Sequence, residues 1–139
     1  MSIKEVREKV KKYKELKADI VDIDIKIAET EEEYIGITAS PQGERTSPTY
    51  KITSSVENQA EKHQEAVEKL LHIKFIKENQ IKRIDNALSI LDDKHKYVIE
   101  EALLKGTPYY EIESHFHVCY TRVKQLEYEA LNKMKVYIK

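Results

Sequence analysis

Helix breakers are scarce in this chain, and most of them crowd into one short window. There are three glycines, at 36, 43 and 106, and three prolines, at 41, 48 and 108; two of each lie between Gly36 and Ser55. The flanking sequence is rich in Lys and Glu with scattered Ile and Leu, a composition that favours long helices. The expected fold is all-α, with one long helix on each side of a Ser/Thr/Pro/Gly loop over 36–55.

The first arm, about Ile3 to Tyr34, repeats an apolar residue every seven positions: Val6, Tyr13, Ile20, Ile27 and Tyr34. Ile3, Val10, Leu16 and Ile23 fill part of the companion seam, which then degrades into Lys17, Asp24 and Glu31. The second arm runs from about Ser54 to Leu91. Its stripe includes Val56, Ala60, Val67, Leu70, Leu71, Ile73, Ile76, Ile81, Ile84, Ala87, Leu88 and Leu91. Ser54 or Ser55 is the expected cap. At 1.5 Å per residue the arms make rods of roughly 48 and 57 Å. Neither is stable alone in water. A coiled-coil-like antiparallel hairpin, pairing with a second copy of the chain, or both would bury the stripes. The loop composition predicts flexibility.

After Leu91 the pattern changes. Asp92 is the expected cap of a helix continuing to Lys105, with positions 98, 99, 102 and 103 on its apolar face and Gly106 as a left-handed stop. Thr107 and Pro108 then suit the N-cap and first position of a short helix, Tyr109 to about His115. A last helix runs from Cys119 or Tyr120 to about Ile138, with Val123, Leu126, Ala130, Leu131 and Met134 inward. Two helices around a tight turn make a helix-turn-helix pattern, with Ile112 and Phe116 packing on Val118 and Val123. The organisation expected is a helical, oligomerising region over 1–87 and a small DNA-binding domain over 88–139.

The outward face of the last helix carries Tyr120, Thr121, Arg122, Lys124, Gln125 and Tyr128. From Cys119 to Lys139 there are five basic and two acidic residues, a local +3 in a chain of net charge −1. Gln125, Tyr120 and Thr121 are the candidates for base edges, and Arg122, Lys124 and Lys133 for phosphates.

The stretch Thr121-Arg122-Val123-Lys124-Gln125-Leu126-Glu127, followed by Ala130-Leu131-Asn132-Lys133-Met134, resembles the promoter-binding region four of bacterial sigma factors. Leu91, Val98, Ile112 and Val118 match the apolar positions of that pattern, and the resemblance spans roughly residues 88–137. The layout of the whole chain resembles the RinA/ArpU group of phage late-gene transcription regulators. These resemblances imply a phage or prophage activator, sigma-like, working on double-stranded DNA, with RNA polymerase core as a further partner. There are departures. Tyr120-Thr121 replaces the usual Arg-Glu pair, Glu113 a small residue, His117 the turn glycine, and Cys119 the usual Ser cap.

Other classes have less to stand on. A small-terminase-type packaging component and a polymerase-binding adaptor without DNA specificity share the helical layout. No phosphate loop or nucleophile elbow points to an enzyme, and no cofactor is implied. His115, His117 and Cys119 lack the paired spacing of a structural zinc site, so packing at the turn explains them better than metal. The single cysteine excludes an internal disulfide. The first residues, MSIKEVREKVKKYK, hold no apolar core of a secretory signal, and no stretch suits a membrane span. One cysteine and no secretory or spanning segment lead us to expect a cytoplasmic place, and the resemblances imply a bacterial host cell and its nucleoid.

Overall fold

The structure, a computed structural model, describes residues 2–39 and 50–138, with side chains for 2–35 and 57–138. It is all-helical. The elements are α1 (Ile3–Lys11), α2 (Tyr13–Ala39), α3 (Tyr50–Ser89), α4 (Asp93–Ile99), a π-helical turn (Glu100–Leu104), α5 (Tyr109–Phe116) and α6 (Tyr120–Met134). No described helix is long and apolar enough to cross a membrane.

The expected single first arm is two helices. α1 opens with a reciprocal capping box, in which Ser2 Oγ accepts from the Glu5 amide at 3.2 Å and Glu5 Oε2 from the Ser2 amide at 2.9 Å. It closes at Lys12, where ψ swings to 0°. Neither proline nor glycine marks that break. The window expected as loop is also shorter, since α2 runs on through Ala39 and α3 begins at Tyr50, ahead of the cap expected at Ser54 or Ser55. The rest of the expected flexible loop, 40–49, lies outside the described residues.

The chain divides into two compact units, Met1–Ala18 with Lys77–Lys139, and Asp19–Ile76. That division differs from the expected boundary at 87/88. Its physical reason is α1: Val6 and Val10 are fully buried among Ile84, Leu88, Ile99, Leu131 and Met134. The amino-terminal helix thus completes the core of the carboxy-terminal segment.

In the Asp19–Ile76 unit, the Lys74 ammonium lies 2.6 Å from an Asp24 oxygen, and the Tyr34 ring stacks on His63 at 4.3 Å. Both contacts join α2 to α3. The polar seam position Asp24 therefore has an ionic partner. Packing here is thin, for Ile23 is buried while Leu71, Ile73 and Ile76, expected in the seam, are 49%, 44% and 45% exposed.

In the other unit, Val98, Ile112, Val123 and Leu126 form a second core cluster, flanked by Tyr97, Tyr109, Phe116 and Val118. This is the packing across the turn that the spacing of Ile112, Phe116, Val118 and Val123 predicts. Gly106 adopts φ +72°, as its stop role requires. Two capping details differ. Asp92 makes no side-chain cap; its carboxylate faces His95 Nδ1 at 3.4 Å and Lys133 at 3.6 Å. Pro108, not Thr107, is the N-cap of α5, and the Thr107 hydroxyl donates instead to Glu101 at 2.8 Å. The continuation of α4 widens into the π-helical turn, whose Lys105 amide bonds back to the Glu100 carbonyl at 2.9 Å.

Candidate nucleic-acid interface

α6 is amphipathic in the plain sense. Val123, Ala130 and Met134 are fully buried, with Leu126 and Leu131 nearly so. The turn before it, His117 to Cys119, is short. His117 takes the left-handed conformation (φ 55°, ψ 41°) at the position where a glycine is usual. Its amide and that of Val118 both reach the Glu113 carbonyl, the latter at 3.2 Å, which closes α5. Cys119 is the N-cap of α6 and makes no side-chain cap bond, so the start of the helix lacks the acceptor a serine would supply.

Of the seven candidates, Tyr120, Thr121, Arg122, Gln125, Tyr128 and Lys133 are exposed. Tyr120 and Tyr128 are 52% and 58% exposed. Thr121, Gln125 and Tyr128 fall within two helical turns and share one side. Tyr120 leans back, edge to face on Tyr109 at 5.5 Å between ring centroids.

The cations of this face are tethered to carboxylates. Arg122 Nη1 donates to Gln125 Oε1 at 3.1 Å and lies 3.9 Å from Glu129. Lys133 sits 3.6 Å from Asp92. Lys124 is half-buried and turned inward, where its ammonium donates to the Tyr109 hydroxyl at 3.0 Å, approaches Glu127 at 3.6 Å and covers the Tyr109 ring at 4.2 Å. Burial pulls the Lys124 pKa down, but the hydrogen bond to Tyr109 and the neighbouring Glu127 outweigh it, and the net direction is up.

Behind that face lies a polar network that spacing alone does not announce. Glu127 is 3% exposed. Arg7 Nε from α1 lies 3.1 Å from its Oε1, at an angle that makes an ion pair rather than a hydrogen bond. The Tyr109 hydroxyl donates to Glu127 Oε2 at 2.9 Å and accepts from Arg7 Nη2 at 3.0 Å and from Lys124. One hydroxyl proton and two lone pairs are all used, so Tyr109 is fully satisfied. The one available signal was position: Val123, Glu127 and Leu131 are spaced by four, which sets a carboxylate in the apolar stripe. His95 repeats the case. It is 8% exposed beside the buried Val98 and Ile99, and its Nε2 lies 3.1 Å from Glu129.

Of the two histidines at the turn, His115 has a ring partner, and His117 is exposed. His115 stacks on Tyr97 at 4.2 Å, and Phe116 meets Tyr97 edge-on at 5.1 Å. Among the described residues no group of three or more His, Cys, Asp or Glu side chains is placed to hold a metal ion. Compared with protein-family models, curated proteins and solved structures, the chain matches none.

Proposed function

We propose that this chain is a sequence-specific DNA-binding transcription regulator of the phage late-gene kind, sigma-like in its last helices, with α6 as the reading helix. The observation that carries the reading is the division of α6 into two sides. One is sealed by Val123, Ala130 and Met134; the other offers Thr121, Gln125 and Tyr128 to solvent. A rigidly backed helix with hydrogen-bonding side chains at its amino-terminal half is what a major groove accepts. Gln125 would pair with an adenine edge, and Thr121 or Tyr128 would meet a thymine methyl.

The tethered cations qualify how such a protein binds. With Lys124 committed to Glu127 and Tyr109, the phosphate contacts left to Arg122, Lys133 and their neighbours number about two or three. Affinity should then fall with salt at a log–log slope of only about −2 to −3. Specificity rests on base contacts more than on charge. The exposed Val21, Ile25, Leu71 and Phe75 support a further part of the reading, that copies assemble through the long helices.

Selection of bound sequences from random duplex DNA with the purified chain tests this. Enrichment of a defined site, relaxed at one base pair by Gln125→Ala, is the expected result. Ring-shaped assemblies without an enriched site would favour a packaging role. Polymerase binding without DNA binding would favour an adaptor.

A further inference from the structure

α2 runs unbroken from Tyr13 to Ala39, so the spacing of its residues fixes which of them share a side. At about 100° per residue, Leu16, Ile20, Ile23, Ile27 and Tyr34 lie along one side, and each is buried or half-buried. Lys14, Ala18, Val21, Ile25, Ala28 and Glu32 lie within about 80° of one another on the opposite side, and all six are exposed. Val21 and Ile25 are 58% and 51% exposed. The six follow at intervals of four, three, four, three and four, the spacing of a coiled-coil seam. One seam of α2 is packed within the chain, and a second is open to water.

Single apolar residues on a surface are normal and need no partner. This set has an order that chance exposure does not require. Turned end for end about the level of Ile23, it maps onto itself. Val21 falls opposite Ile25, Ala18 opposite Ala28, and Lys14 opposite Glu32. The central layers are then all apolar, and at each end a cation meets a carboxylate. Laid side by side in the same direction, two such seams would set Lys14 against Lys14 and Glu32 against Glu32. Charge therefore selects the antiparallel sense. The carboxylates nearest the centre bring their own cations, since Asp22 lies 2.9 Å from Lys26 and Asp24 2.6 Å from Lys74. Beside the seam, Lys17 facing Glu31 offsets Glu15 facing Glu29. All four are exposed, where screening weakens like-charge repulsion.

We propose that a second copy of the chain occupies this side, α2 against α2 in antiparallel, with the two-fold axis level with Ile23. A seam built for an unrelated protein has no need to match its own reverse. The contact is isologous and closes on itself, so it yields a dimer and not a fibre. Ala18 and Ala28 have little bulk and let the two backbones come close, while Val21 and Ile25 supply apolar area. The inference rests on the assembly part of the reading above, which it narrows to one face, register and direction. It stands apart from whether α6 binds DNA.

Sedimentation equilibrium of the full chain over a concentration series measures assembly, and variants measure the register. Lys14→Glu and Glu32→Lys each turn two attractive end pairs repulsive and should weaken self-association about tenfold. The double swap, Lys14→Glu with Glu32→Lys, should restore most of that loss. Val21→Ser with Ile25→Ser should abolish the dimer and keep the helix content of the dilute parent. A spin label at Glu33→Cys, with the exposed Cys119 changed to Ser, reads the direction. Each label stands ten residues from the centre, so the two should lie about 30 Å apart or more, whereas a parallel pair would bring them within about 15 Å. A dimer with its labels close together overturns the proposal and leaves assembly to another face. So does one that the charge swap fails to restore or the serine variant leaves intact. A chain that stays monomeric throughout the series overturns the proposal and the assembly reading together.

Discussion

Removing Arg7 should loosen a helix 120 positions away in sequence, because its guanidinium is the main counter-charge of the buried Glu127. Arg7→Met keeps most of the apolar stem and deletes the 3.1 Å ion pair together with the hydrogen bond to Tyr109. Removing one partner of a fully buried pair costs about 3–5 kcal/mol, whereas an exposed pair is worth about 0–1 kcal/mol. The Arg7 side chain is 33% exposed and that of Glu127 4%. Glu127 also keeps the Tyr109 hydroxyl at 2.9 Å and Lys124 at 3.6 Å. The cost should therefore be intermediate, about 2 kcal/mol. With a urea m-value of about 2 kcal/mol/M the unfolding midpoint falls by about 1 M. Urea titration followed by circular dichroism measures it. Glu127→Gln alone should cost about 1–2 kcal/mol, since Arg7 and Lys124 are open enough to be hydrated. The double variant should cost at least about 1 kcal/mol less than the sum. A loss below about 0.5 kcal/mol for Arg7→Met, or strict additivity, would show that the two residues are neighbours without being coupled.

His117→Gly should raise stability by about 0.5 kcal/mol, because relief of the left-handed backbone outweighs the extra freedom glycine brings to the unfolded chain; a thermal melt lower than the parent's contradicts that. Ile112→Ala, at the centre of the second core cluster, should cost about 2–5 kcal/mol and abolish the cooperative melt of the α4–α6 region, read by near-ultraviolet dichroism. Lys124 has a raised folded pKa, so its contribution is complete below the ordinary lysine range and is lost as pH climbs through the folded value. The stability gap between the parent and Lys124→Gln should accordingly be constant at neutral pH and narrow in strong alkali. A gap that widens there would mean the sign is wrong. Glu101 is lowered, first by its hydrogen bonds to Lys105 and Thr107, so its support is present near neutrality and lost as pH falls through its depressed acid range; Thr107→Val should remove part of that acid-side loss in a pH series of melts.

What could be read along the chain, and what could not, follows from range. The inward set of α6, the stop at Gly106 and the packing of Ile112 with Val123 are products of helical spacing and local capping, so they are visible in the letters. The break at Lys12 is not, because its cause is tertiary: Val6 and Val10 are held in a core made mostly of residues beyond 84. The same holds for Leu71, Ile73 and Ile76. Their heptad-like placement marks them as apolar stripe, but only a partner surface decides whether a stripe is covered. Lys124 illustrates the limit at the candidate site, since helical position puts it near the outward face and a carboxylate three residues on draws it inward.

The most direct measurement of the central claim is the affinity ratio between a selected DNA site and a shuffled duplex, by fluorescence anisotropy, for the parent chain and for the triple variant Thr121→Ala, Gln125→Ala, Tyr128→Ala. All three side chains are exposed, so the variant should melt with the parent. The ratio should collapse towards unity in the variant while weak, salt-sensitive binding to any duplex persists. An unchanged ratio, or a parent chain that holds no duplex at all, would place the function of α6 elsewhere.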